Sequence, residues 1–269
     1  MKADYFWING ELVPSKHALP DLLDRGAEAG LSLVKDFRCY ETDTGPAVFR
    51  LEEHIRQFLK AARSKGFEVQ LNVEDFCERV HRTLMFNGIR DGRIRLLLLN
   101  GDAGDRHRAD PANGRSANIL AIGIWKAGRP REAERDRVPL REGLVLGNQV
   151  PEDAAMFLVL DGKLLTPQSK TFGNALVRIS IITLANDLGF EVQERPLTRA
   201  HIAAAGEMFL VTVNGEIAFV REFDSQPIGN GSLGPVTHAL QTIFYQTVQG
   251  RGKRSREWLD WVGGTNIGI

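Results

Sequence analysis

Residues 40–57, YETDTGPAVFRLEEHIRQ, carry the chain out of one strand, around a turn, along a second strand and into a helix. Thr42-Asp43-Thr44-Gly45 has turn chemistry: short side chains that bond their own backbone, then a glycine that accepts positive φ. Residues 30–40 (GLSLVKDFRCY) and 46–50 (PAVFR) read as the strands on either side. From Leu51 to Lys65 the apolar residues Leu51, Ile55, Phe58, Leu59 and Ala62 fall at helical spacing. Glu52 and Glu53 open that helix where its dipole favours negative charge. A strand pair feeding an amphipathic helix predicts a sheet with helices packed on it, an α+β pattern.

The pattern continues in both directions. Upstream, Tyr5–Ile8 and Glu11–Val13 flank Asn9-Gly10, a two-residue hairpin signal. Downstream, Phe76, Val80, Leu84 and Met85 mark a second helix over about 73–87, and 93–99 is a strand too apolar for a sheet edge. Residues 101–116 (GDAGDRHRADPANGRS) are a polar loop, 117–125 a strand and 126–135 a charged connection. Strands follow near 143–146, 155–160 and 163–166, the last two joined at Asp161-Gly162. A helix over 174–188 stops at Gly189. Short strands near 190–194 and 207–213, a helix capped by Thr198, a strand near 215–222 and a mostly helical 236–262 complete the prediction. The division this predicts is two domains, 1–125 and 126–269.

At 269 residues the chain has room for two such domains. Lys+Arg and Asp+Glu both number 34, which excludes a generally basic nucleic-acid binder and an acidic tail. No run approaches the length of a membrane span. The opening MKADYFWINGELVP has charge and a turn where a leader needs an apolar stretch, so the expected location is the cytoplasm. Cys39 and Cys77 form neither a disulfide framework nor a metal site by themselves and read as reduced thiols.

Several motifs resemble chemistry without its context. Gly229-Asn230-Gly231-Ser232-Leu233-Gly234 fits a dinucleotide fingerprint letter for letter. That motif needs a buried strand before it, and here Ser225-Gln226-Pro227-Ile228 precedes it and Pro235 follows, so it reads as a surface turn. His107 sits between arginines in a polar loop, and His54 begins a helix among acidic residues. No His or Cys pair has metal spacing, and no Gly-x-Ser-x-Gly elbow is present.

Taken together, a series of blocks resembles the class IV aminotransferases, the fold-type IV pyridoxal-phosphate (PLP) family. The blocks are WINGELVP, Asp24-Arg25-Gly26 with Gly30 and Arg38, residues 40–57, RIRLLLLNGD (93–102), DGKLLTP (161–167), ERPLTRAHI (194–202), REFDSQPIGNGSLGPVT (221–237) and REWLDWV (256–262). Residues 40–57 look most like branched-chain aminotransferases. The resemblance implies a fold-type IV architecture with a C-terminal barrel-like domain, here shortened, and a homodimer. The cofactor it implies is PLP. Arg56 matches the helix arginine on the PLP phosphate, and Arg95 the strand arginine that recognises a substrate carboxylate. Arg38, Asn214 and Gly215 match further substrate-side positions.

Departures from the family pattern are concentrated in its chemistry. Between the blocks ending at Trp125 and resuming at Met156, where the family carries its catalytic lysine, this chain is shorter and holds only Lys126. The glutamate that pairs with the pyridine nitrogen survives as Glu152 only if a gap is granted. The phosphate-helix start reads Ala175-Leu176-Val177-Arg178, with Val177 for a threonine, and Val213 replaces a second threonine. In the early strand Phe-Glu has become Val34-Lys35, and Asp36 stands where the family has a small residue.

The lysine holds PLP as an imine and then moves the proton of the reaction, so its loss removes two functions at once. The first reading is therefore a degenerate or repurposed member that binds a small carboxylate or phosphate-bearing ligand. Lys170, in Pro167-Gln168-Ser169-Lys170, is the candidate for a relocated lysine in an active transaminase or lyase, ahead of Lys35. A third reading is a non-catalytic dimeric interaction subunit.

Overall fold

A computed structural model describes residues 2–16, 32–99, 118–127, 143–151, 154–168, 175–212 and 217–263. The chain divides into two units, Met1–Arg129 with Glu257–Ile269, and Pro130–Arg256.

The first unit contains β1 (Tyr5–Ile8), β2 (Glu11–Pro14), β3 (Ser32–Thr42), β4 (Gly45–Phe49), α1 (Leu51–Ser64), α2 (Val73–Phe86), β5 (Gly92–Leu99) and β6 (Ile119–Lys126). Asn9 and Gly10 both have positive φ, as a primed hairpin turn requires. β3 pairs antiparallel with β5 from Ser32↔Leu99 to Cys39↔Gly92, and β5 with β6 from Gly92↔Lys126 to Leu99↔Ile119. Alternation then assigns the faces. Leu33, Lys35, Phe37 and Cys39 of β3, and Ile94, Leu96 and Leu98 of β5, are buried on one face. The apolar stripes of α1 and α2 are buried with them, and Phe58 meets Phe76 edge-on at 5.8 Å. Asn72 caps α2 by accepting from Asp75 N at 2.7 Å. Both cysteines are free, and burial pushes each thiol up to about 12, so neither is a thiolate at neutral pH.

The second unit contains β7 (Leu144–Leu146), β8 (Ala154–Leu160), β9 (Lys163–Thr166), α3 (Ala175–Asp187), β10 (Val192–Glu194), α4 (Arg199–Ala204), β11 (Glu207–Thr212), β12 (Ile217–Phe223), β13 (Gln226–Pro227) and α5 (Pro235–Val248). Its sheet runs in the order β10-β9-β8-β11-β12-β13, with β7 also on β12. Leu158, Leu165, Ile202, Met208, Leu210, Val220 and Phe223 form one core of this unit. The glycine-rich hexapeptide is the turn before α5. The strand ahead of it is the exposed two-residue β13, and Gly234 is the cap position of the helix.

Glu207 holds that helix start. It accepts from Val236 N at 3.0 Å, Thr237 N at 2.8 Å and Thr237 Oγ1 at 2.7 Å. A Cβ on Gly234 would overlap its carboxylate. Three charge-assisted bonds to one buried carboxylate predict that Glu207→Ala destabilises the protein by about 2–4 kcal/mol, read as a lowered melting temperature.

The end of the chain differs from the sequence prediction in its last element. Residues 236–262 are mostly helical as predicted, but α5 ends at Val248, α6 (Ser255–Trp258) follows, and the stretch closes in a strand, β14 (Leu259–Trp261). Gly250 has positive φ, and Gly252 packs so close to Thr247 that no Cβ fits, which stops the helix there. β14 pairs with β4, Leu259↔Phe49 to Trp261↔Ala47. The tail therefore groups with the first unit.

Candidate functional site

The face of the first sheet opposite α1 and α2 carries the charge. Arg95 lies directly across from Asp36, and Arg93 from Arg38. Arg95 Nε donates to Asp36 Oδ1 and Nη2 to Oδ2, both at 2.8 Å, a bidentate pair. Arg93 Nη1 is 4.0 Å from Asp36 Oδ2. Trp125, in register with Arg93 on β6, lies under both guanidiniums, 4.9 Å from that of Arg93 and 5.5 Å from that of Arg95. Arg38 donates to Asp91 Oδ1 at 2.6 Å and covers the Tyr40 ring at 4.9 Å. Three guanidiniums thus meet two carboxylates on one sheet face, a cationic surface backed by aromatic rings.

On the opposite face Lys35 is only 1% exposed and donates to Gln57 Oε1 of α1 at 3.0 Å. Burial lowers its pKa to about 8, against the opposing pull of Asp36. His54, fully buried, stacks on Phe37 at 4.7 Å. Burial, and next the charges of Lys35 and Arg50, hold His54 well below the ordinary histidine range, so it is a neutral core residue. Its protonation is resisted by the fold and welcomed by the unfolded chain. Stability is therefore expected to fall as pH drops below about 6.5, with His54→Phe flattening that acid limb in pH-dependent melts.

Arg56 projects from the solvent side of α1 and is 58% exposed, bound to Glu52 one turn earlier, with Nε at 2.8 Å from Oε1. Its neighbour Gln57 instead reaches the sheet, where it accepts from Lys35. In the second unit Val177 is buried on α3, and Arg178 donates to Glu194 Oε2 at 2.7 Å and Thr166 Oγ1 at 3.3 Å. Lys126, at the end of β6, lies 4.0 Å from Asp4, and Lys163 donates to Glu191 at 2.9 Å. Glu152, Lys170, Val213, Asn214, Gly215 and His107 lie outside the described residues.

The structure thus brings Arg38 and Arg95 together on one face and sets Arg56 apart from them on α1. Arg93 and Trp125 are the site residues that sequence reasoning misses. Their signal is the i, i+2 spacing of Arg93 and Arg95, which places both on one side of a strand. Among the described residues no group of three or more His, Cys, Asp or Glu could hold a metal ion. No described helix is long and apolar enough to cross a membrane.

No family model matches the chain. It is 28% identical to the branched-chain-amino-acid aminotransferase of Escherichia coli (strain K12), covering 97% of this chain and 98% of that protein. The corresponding Pseudomonas aeruginosa protein is 25% identical over 94% of this chain and 95% of its own. The T.th. branched-chain amino acid aminotransferase, solved with N-(5′-phosphopyridoxyl)-L-glutamate, superposes with a TM-score of 0.81 at 25% identity, covering 98% of this chain and 100% of the other. The E. coli enzyme structure gives 0.80 at 27% identity, covering 97% of this chain. The E. coli sequence comparison runs over 305 positions against 269 residues here, so stretches of that relative have no counterpart in this chain. Near full-length similarity to branched-chain aminotransferases, in sequence and in the succession of sheets and helices, supports the assignment of this chain to the class IV aminotransferases, the fold-type IV PLP family.

Proposed function

We propose that this chain is a branched-chain-aminotransferase-like protein that no longer holds PLP as an imine and instead binds a small anion on the arginine face of its first sheet. The observation that carries the proposal is the interval between β6 and β8. Residues 127–153 contain no lysine, and Lys126 at its border is a strand-end residue beside Asp4. The surplus of positions in the E. coli comparison supports a lost segment.

Several described residues support a reading without the cofactor. Lys35 is shut into the core, Arg56 faces solvent with Glu52, and the α3 start offers apolar Leu176 and Val177 where a phosphate needs hydroxyl groups. Arg178, on the same turn, is committed to Glu194 and Thr166. The arginine face, by contrast, has the charge and geometry to hold a carboxylate or phosphate.

Titrating purified protein with PLP and following the visible imine band tests this reading. No band and no borohydride-trapped adduct are the expected results. A stable band that Lys170→Ala removes would overturn the proposal in favour of a relocated lysine. We further propose a cytoplasmic homodimer. Sedimentation at micromolar concentration is expected to give twice the chain mass, and a monomer would contradict it.

A further inference from the structure

Asp36 sits at the centre of the arginine face and is bound by both arms of the Arg95 fork. That is the geometry in which an arginine receives a ligand's carboxylate, and here the carboxylate is the chain's own. The pair is well shielded, with side-chain exposures of 12% for Asp36 and 17% for Arg95, so separating it would leave two poorly solvated charges. An incoming anion has little to gain at Arg95.

Arg93 differs in each respect. Its side chain is 35% exposed, and among the described residues it makes no hydrogen bond. The Trp125 ring, 4.9 Å away, supports the guanidinium without using its N–H groups. The charge of Asp36 is 4.0 Å from Nη1, near enough to repel a second negative charge brought alongside.

Resting on the anion-binding reading above, we propose that Arg93 is the guanidinium that receives the ligand's anion. Asp36, by filling the Arg95 fork, confines this face to small monocarboxylates and turns dicarboxylates away. One open cation accepts one carboxylate. A second carboxylate would meet either an occupied fork or a like charge, and that repulsion is the specificity element.

Calorimetric titration of the full chain with 4-methylvalerate and with glutarate tests this. Wild-type protein is expected to bind 4-methylvalerate roughly tenfold or more tightly than glutarate. Arg93→Gln is expected to weaken 4-methylvalerate by about tenfold or more. Asp36→Asn keeps the shape, removes the charge and is expected to improve glutarate by about tenfold, more than it improves 4-methylvalerate. Binding that survives Arg93→Gln, or glutarate affinity unmoved by Asp36→Asn, overturns the assignment. The wild-type preference and the Arg93→Gln loss require no change within the shielded pair, so they decide the matter even if Asp36→Asn fails to fold. Flat titrations for wild type and Asp36→Asn alike overturn the anion-binding reading itself, whereas binding that is indifferent to Arg93 overturns only this inference.

Discussion

Mixed with PLP, a branched-chain amino acid and a keto-acid acceptor, the protein is expected to exchange amino groups at no more than about one-thousandth of the rate of a lysine-bearing branched-chain aminotransferase. A positioned amine does two things in such chemistry: it anchors the aldehyde covalently, and it carries a proton between two carbons. Neither function has a described candidate here. The ammonium of Lys35 is enclosed between β3 and α1 with Gln57, and Lys163 is spoken for by Glu191. A coupled assay of keto-acid formation, run beside the E. coli enzyme, provides the measurement. A rate within about tenfold of that enzyme would reverse the conclusion.

Replacing Lys35 with methionine is expected to stabilise the protein at pH 7 by roughly 1–3 kcal/mol, raising the melting temperature by several degrees. Lys35 is 1% exposed, and its pKa falls from 10.5 to about 8. At neutral pH the folded chain therefore keeps a charge that burial disfavours, and methionine fills a similar volume without it. The lost bond to Gln57 offsets part of the gain. The sign follows from proton counts. Between about 8 and 10.5 the unfolded chain holds the lysine proton that the folded chain releases, so wild-type stability rises with pH across that window. The advantage of Lys35→Met is greatest below about 8 and has disappeared by about 10.5. Melts of both proteins at pH 7 and pH 10.5 suffice, and a variant that is less stable at pH 7 would refute the assignment of Lys35 as a buried charge held at a cost.

Local signals made much of the fold legible. Asn9-Gly10 and Asp161-Gly162 announce their hairpins because both residues of each turn take positive φ. The apolar spacing from Leu51 to Ala62 defines α1 because only the buried stripe must be apolar. The helix phase at positions 56 and 57 was not legible from a family pattern alone. One residue turns a helix by about 100°, which separates exposed Arg56 from Gln57 at the sheet. Asp36 was visible as an odd residue, but its partner was not. The register that sets it against Arg95 joins strands 59 residues apart, and nothing local encodes that distance. β14 escaped for the same reason, being a three-residue strand whose partner lies more than two hundred positions earlier.

That late strand has a consequence for biosynthesis. β4 is flanked by β3 on one side and β14 on the other, and Arg50 N donates to Trp258 O at 2.6 Å beside the same edge. While the ribosome is still making Pro130–Arg256, the earlier sheet has every strand except this one. Its β4 border then presents unpaired backbone groups to any neighbouring nascent chain. Polysomes bring such chains close together, and domains that emerge first normally fold first. In this protein the earlier unit waits for the later one, and a messenger truncated after residue 256 would yield a sheet whose open border invites aggregation.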